Sequence, residues 1–192
     1  MTKAELKDLY ERKASAMVRR PGFARSSGQA RVRMGAGFAC EIDHGDRTTR
    51  ADQPTSEGGD GTAAHPGQLM RASLGACLAM GYRTWGARLD TAIDAVDVEV
   101  TCEYDARGQM GVAPDVAIGW QRMTFVVQIT SNAPEAAVRR VVEIADRLSP
   151  MLANLSAQIE RVHNLVVLPL GAPSPSGEAS GEPAVASAPE LG

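Results

Sequence analysis

Hydrophobic positions recur along this chain with two different periods, and the switches between them mark out the elements. Leu6, Leu9, Tyr10, Lys13 and Met17 fall on one stripe at helical spacing. Thr2 with Glu5 three residues later is a capping-box signature, and Pro21-Gly22 ends the pattern, so a helix is expected over residues 2–19. Its stripe suits a lid or a dimer-packing helix. A period of two follows. Ala30, Val32 and Met34 alternate with Arg31 and Arg33, and Phe38, Cys40 and Ile42 alternate with Ala39, Glu41 and Asp43. His44-Gly45-Asp46 is a turn signal, after which residues 47–51 return as the third strand of a meander. Residues 52–65 read as loop. Gly58-Gly59-Asp60-Gly61 suggest a mobile segment, and loops of this length are often functional.

Pro66 then opens a long helix to about residue 89, since proline suits a first helical turn. From Leu69 to Met80 its apolar residues lie on nearly all sides, the mark of a buried helix. Ala72, Ser73, Gly75, Ala76, Ala79 and Gly81 keep it thin. Each interior glycine costs about 1 kcal/mol against alanine, so close packing is the expected compensation. Residues 95–104 are the cleanest strand: Val96, Val98, Val100, Cys102 and Tyr104 face one way, and Asp97, Glu99, Thr101 and Glu103 the other. A long connection over 106–119 leads to a strand over 122–130, with Met123, Phe125, Val127 and Ile129 inward. Pro134 starts a helix to about residue 148, striped by Val138, Val141, Val142 and Ala145. Ser149-Pro150 starts a short further helix, and residues 158–168 close as a strand. Residues 169–192 are rich in Pro, Gly, Ser and Ala without an apolar period, which predicts disorder.

The element order is α+β, without a regular βαβ alternation. A long helix that needs covering on all sides by so few strands implies a core shared between two copies, hence an obligate homodimer.

Composition narrows the function classes. The net charge of −3 offers no strong field for nucleic acid or an anionic membrane. This also weighs against a recognition helix built on Arg12, Lys13, Arg19 and Arg20. The longest apolar candidate, Ala72 to Tyr82, falls short of the roughly 20 residues a membrane span needs. The opening Met-Thr-Lys-Ala-Glu-Leu-Lys is unlike a secretory signal, so the expected location is cytoplasmic. Three cysteines, Cys40, Cys77 and Cys102, argue against a disulfide framework. His44, His65 and His163 lack metal-ligand spacing, so no metal is expected.

Of the thiols, Cys40 and Cys102 sit on inward strand positions and read as small core residues. Cys77 lies mid-helix on a stripe with Leu69, Ser73, Met80 and Thr84. The pattern fits either a packing residue or a reactive thiol. A reactive thiol needs an agent that favours the thiolate, and its own helix N-terminus is too far away. Arg47 and Arg50 are the candidate cations, with Arg31 and Arg33 behind them.

The run Gly61-Thr-Ala-Ala-His-Pro-Gly-Gln-Leu-Met-Arg-Ala-Ser-Leu-Gly-Ala-Cys77-Leu-Ala-Met80 resembles the signature of the OsmC/Ohr hydroperoxide-reductase family, whose central helix carries Ala-Cys. Ala145-Asp-Arg-Leu-Ser149-Pro150 is similar to that family's second helical motif, where Cys-Pro occurs. The resemblance covers roughly residues 28–168. It implies an OsmC-like fold: antiparallel sheets around a long buried central helix, in an intertwined homodimer with two active sites near the interface. It divides the chain into an N-terminal helical extension (1–22), an OsmC-like domain (23–168) and the tail (169–192).

The resemblance also implies thiol-dependent reduction of hydroperoxides, with no metal or organic cofactor. Cys77 matches the peroxide-attacking position. Ser149 replaces the resolving cysteine, so a two-cysteine cycle is unavailable, and it remains a good helix N-cap. The arginine-holding glutamate falls at Gly67, for which Glu57 is the candidate substitute; Arg50 is the candidate arginine. The expected function is a one-cysteine hydroperoxide reductase in oxidative-stress defence, using a small hydroperoxide and an external thiol. The alternatives are a non-catalytic dimer of this fold binding a small apolar ligand, and a regulatory protein recruiting a partner through its first helix and tail.

Overall fold

In the computed structural model, which describes residues 1–156, the chain runs as follows. α1 (Lys3–Arg19) and a 3-10 turn (Pro21–Ala24) precede the strands β1 (Arg31–Met34), β2 (Cys40–Asp43) and β3 (Thr48–Ala51). A second 3-10 turn (Thr55–Glu57) leads to α2 (Pro66–Arg88). Then come β4 (Ala95–Tyr104), the one-turn α3 (Ala106–Gln109), β5 (Trp120–Thr130), α4 (Glu135–Arg147) and α5 (Pro150–Ser156). The strand expected over 158–168, His163 and the tail over 169–192 lie outside the described residues. The architecture is α+β with two antiparallel sheets, β1-β2-β3 and β4-β5.

Local signals set most element ends. The Thr2–Glu5 capping box closes α1, with the Thr2 hydroxyl accepting from the Glu5 amide. α2 starts at Pro66 and is capped by His65, whose Nδ1 accepts from the Gly67 amide at 3.1 Å. β4 spans the residues its alternation predicts. β5 begins two residues early, because a register shift between Glu103 and Tyr104 lets Tyr104 pair with Trp120. The connection between them is not all loop: Asp105 caps α3 by accepting from the Arg107 amide at 3.0 Å.

The meander follows the expected alternation. Its register aligns Val32, Ile42 and Thr49, then Met34, Cys40 and Ala51, on one face. The other face carries Arg31, Arg33, Glu41, Asp43 and Arg50. The expected burial of β1 does not hold within one chain: Val32 is 57% and Met34 61% exposed. Four-residue strands bury an apolar face only against a second layer, and the described chain lays none over β1.

The core forms where α2 crosses β4-β5 and α4. Leu74, Leu78 and Tyr82 are buried on α2, packed with Ala145 of α4 and surrounded by Val96, Val98, Val100, Met123, Val127 and Ile129. Each fully buried side chain of this size contributes about 1.5–3 kcal/mol. The expectation of an all-round buried helix is corrected. α2 is buried on this face alone, while Met70, Ala72, Ser73, Ala76 and Met80 on the opposite side are exposed, Met80 by 70%. α1 rests near the C-terminal end of α2, where Lys3 Nζ donates to the Asp90 carbonyl at 3.0 Å and Lys7 pairs with the Asp90 carboxylate.

The glycines of α2 differ in what they permit. A Cβ at Gly86 would stand 2.5 Å from Ile93 Cγ1 and 3.0 Å from the Thr91 carbonyl oxygen, whereas at Gly81 its nearest neighbour would be Ala145 Cβ at 3.8 Å. Gly86→Ala should therefore destabilise the fold by about 1–3 kcal/mol through overpacking. Gly81→Ala should be neutral or stabilising by up to about 1 kcal/mol. Urea denaturation midpoints at unchanged m-value check both, and equal midpoints for the two variants would refute the close approach at Gly86.

Candidate functional site

Cys77 sits on the border between the buried and the open face of α2 and is half-buried. Five residues on, Tyr82 turns into the core, and its phenol donates to Asp146 Oδ1 at 2.8 Å. Burial and then the Asp146 carboxylate push the Tyr82 phenol well above its ordinary pKa, so it stays a donor at all physiological pH. This bond ties α2 to the last turn of α4. The chain then turns at once, with the Ser149 amide donating to the Asp146 carbonyl at 3.2 Å. Ser149, 6% exposed, arrives beside α2 with its Oγ 3.9 Å from Cys77 Sγ. It also caps α5: Oγ accepts from the Leu152 amide at 3.4 Å and its carbonyl from the Ala153 amide at 3.1 Å.

The two motifs, 72 residues apart in sequence, thus meet at a thiol and a hydroxyl. The other two proposed supports do not join them within one chain. Arg50 lies exposed on the charged face of the meander, opposite Glu41. Glu57 is exposed in the 3-10 turn after β3. Among the described residues neither is ion-paired or hydrogen-bonded through its side chain, and the hydrogen-bond partner of Cys77 is Ser149. Arg47 and Arg33 approach Asp46 at 3.6 Å and Glu41 at 3.9 Å on the surface.

Arg71 was not singled out by the sequence pattern. It is half-buried on the core side of α2, and a Cβ at Gly67 would lie 3.6 Å from its Nη1. The position matched to an arginine-holding glutamate therefore does adjoin an arginine, but a different one, with no acidic partner among the described residues. Arg71 also acts on Cys102. Burial raises that thiol above its ordinary pKa, and the Arg71 charge partly opposes this. All three cysteines are free and half-buried, and Cys40 Sγ donates weakly to the Phe38 carbonyl at 3.6 Å.

The segment before α2 is more ordered than its glycines suggest, because Asp52 clamps it. Asp52 is 2% exposed and accepts from the Gln53 amide at 2.8 Å, the Thr62 amide at 2.9 Å and the Thr62 hydroxyl at 2.8 Å. Gly61 donates to the Gln53 carbonyl at 3.1 Å. At Gly59 the backbone passes so near Gln53 that a Cβ would lie 2.2 Å from its carbonyl oxygen. The mobile loop of the sequence reading is thus a closed loop that delivers the chain to Pro66. An aspartate and a threonine ten residues apart carry no period or motif, which is why the pattern missed it.

Among the described residues no helix is long and apolar enough to cross a membrane. A cleft of about 220 Å³ lies between α1 and the far end of α2, lined by Lys3, Leu6, Arg83, Thr91 and Asp94 among others, and does not include Cys77.

Comparison with protein families matches residues 59–162 to the family described as OsmC-like protein. Comparison with curated proteins gives no match. Among solved structures, an OsmC-like protein from Mycoplasma pneumoniae is 12% identical with a TM-score of 0.58, over 68% of this chain and 87% of that one. An OsmC-like protein of unknown function from Vibrio cholerae is 10% identical with a TM-score of 0.58, over 70% and 96%. An organic hydroperoxide resistance protein OsmC from Legionella pneumophila is 19% identical with a TM-score of 0.53, over 68% and 90%. At these identities the likeness is one of fold.

The Asp52 clamp has a pH signature. The Thr62 amide and hydroxyl hold its carboxyl below the ordinary value, against the push of burial. With a lowered pKa in the folded state, its contribution is complete above the ordinary value of about 3.9 and lost as pH falls through the lowered one. Hydrogen exchange at the Gln53 and Thr62 amides, corrected for intrinsic rate, should be slow near neutral pH and accelerate below about pH 4. In Asp52→Asn it should be fast already at neutral pH. Full protection in that variant would show that the loop closes without the carboxylate.

Proposed function

The chain belongs to the OsmC-like protein family, which it matches over residues 59–162, and from that premise we propose that it is a one-cysteine thiol peroxidase acting on organic hydroperoxides. The observation that carries this reading is the meeting of a half-buried Cys77 with a buried hydroxyl, Ser149, at 3.9 Å. The Legionella relative is named for organic hydroperoxide resistance, which agrees with the same chemistry.

In this reading the Cys77 thiolate attacks the outer oxygen of a hydroperoxide. The O–O bond breaks, the sulfur gains that oxygen as sulfenic acid, and the alkoxide takes a proton to leave as alcohol. An external thiol then condenses with the sulfenic acid, releasing water and leaving a mixed disulfide. A second thiol molecule displaces Cys77 and restores it. The cycle balances without a metal or organic cofactor, with two external thiols oxidised per hydroperoxide reduced.

The working unit in this proposal is a homodimer. The open faces of α2 and the meander, with Met70, Met80, Val32, Met34 and Phe38 exposed, are the surfaces a second copy would cover. Arg50 and Glu57 take part only through such a copy, since within one chain neither is bonded to the thiol. The cleft by α1 mixes charged walls (Lys3, Arg83, Asp94) with apolar ones (Met1, Leu6, Ile93) and does not include Cys77.

Stopped-flow mixing with an alkyl hydroperoxide tests the reading. The wild-type thiol should react at least about a hundredfold faster than free cysteine, the scale of one positioned catalytic group. Cys77→Ser should abolish the reaction, and Cys40→Ser and Cys102→Ser should leave it intact. Light scattering should give twice the 20.3 kDa chain mass. A wild-type rate equal to free cysteine's would overturn the peroxidase reading, and a monomer would overturn the dimer.

A further inference from the structure

We propose that Ser149 is a catalytic hydroxyl: it donates its proton in a hydrogen bond to the Cys77 sulfur, first as thiolate and then as sulfenate, and holds the oxidised sulfur open to an external thiol. The inference deepens the peroxidase reading and rests on it.

The geometry permits the hydroxyl to be the donor. Ser149 is 6% exposed, so its O–H is not free to turn to bulk water. Its oxygen accepts from the Leu152 amide at 3.4 Å with one of its two lone pairs. The Cys77 sulfur lies 3.9 Å away, where either atom can donate while the thiol is neutral, and once the sulfur ionises only the hydroxyl can. A neutral thiol is a weak acceptor and a thiolate a strong one, so this bond strengthens when the sulfur ionises and favours the ionised form. Tyr82 and Asp146 act one step behind as positioning residues: their 2.8 Å bond fixes the end of α4 from which Ser149 projects.

The same contact decides what happens after oxidation. A thiol at position 149 would condense with the Cys77 sulfenic acid, forming an S–S bond and releasing water. A hydroxyl has no such reaction and can only hydrogen-bond to the sulfenate oxygen. The sulfenic acid therefore waits for a thiol from solution, which half-buried Cys77 can still meet. Substituting serine for cysteine here changes which thiol closes the cycle while leaving a polar partner at the reacting atom.

Iodoacetamide alkylation of Cys77 in the full-length protein, across pH and without peroxide, separates this role from a structural one. Ser149→Ala and Ser149→Gly should both slow alkylation about tenfold at neutral pH, the scale of one hydrogen bond to a charged group, and move the pH profile upward. Ser149→Thr, which keeps the hydroxyl, should match wild type. Glycine remains an acceptable N-cap where alanine does not, so slowing by both, with thermal stability reduced only in the alanine variant, identifies the donor rather than the cap. Ser149→Cys should form an internal disulfide with Cys77 on one equivalent of hydroperoxide, losing two thiols per oxidant. Wild-type alkylation rates in both the alanine and glycine variants would overturn the proposal, leaving Ser149 as a cap alone. Were wild-type Cys77 inert to hydroperoxide yet alkylated tenfold faster than in those variants, the peroxidase reading would fall and the role of the hydroxyl would stand.

Discussion

One part-buried hydrogen bond fixes the site, from the buried phenol of Tyr82 to the half-buried Asp146 carboxylate. Everything chemical in the molecule depends on α2 and the α4–α5 corner keeping one relative position. Apolar packing of Leu74, Leu78 and Ala145 supplies most of the attraction but is tolerant of small slides. The 2.8 Å bond is not, because the buried phenol would be left without its acceptor if the two separated. Three residues past Asp146, Ser149 stands with its Oγ 3.9 Å from the Cys77 sulfur. The site thus follows from how α2 packs against α4 and the short connection after it, which carries Ser149.

Within one chain the polar partner beside the Cys77 sulfur is a hydroxyl. The expected device was a guanidinium, and the described residues of one chain bring none into hydrogen-bonding reach of Cys77. The thiol is neither exposed on a bare surface nor sealed in an apolar shell. Among the described residues its hydrogen-bond partner is Ser149, itself buried and accepting from a backbone amide. A hydroxyl is a weaker stabiliser than a full charge, but it does not need an acidic residue to hold it. This fits the glycine at position 67, and it leaves Arg71 free of any acidic partner among the described residues.

Much of this was legible in the sequence, for identifiable reasons. The alternation in β4 and in the meander is a strict period of two and located its strands within a residue or two. The Thr2–Glu5 box, Pro66 and Ser149-Pro150 are local signals whose physics involves only neighbours, and each stands at a helix end. The adjacency of Cys77 and Ser149 was implied by resemblance, not by any period. What stayed hidden depends on tertiary partners. An apolar residue facing a second copy reads the same as one facing its own core, so the open side of α2 and of β1 could not be told from the buried side. The Asp52 clamp is made of backbone amides, which every sequence has. The candidate arginine and glutamate, Arg50 and Glu57, lie on an exposed sheet face and in a 3-10 turn, where no motif fixes direction, and neither is bonded to the thiol within one chain.

In the proposed cycle Cys77 alone among three half-buried thiols is oxidised and then waits, unresolved, for an outside thiol. Trapping with a dimedone probe after one equivalent of an alkyl hydroperoxide, followed by peptide mass spectrometry, reads this directly. The predicted result is a single sulfenic-acid adduct on Cys77, with Cys40 and Cys102 unmodified and no internal disulfide. An adduct spread evenly over the three cysteines, or a Cys77 left reduced while the hydroperoxide persists, would contradict it.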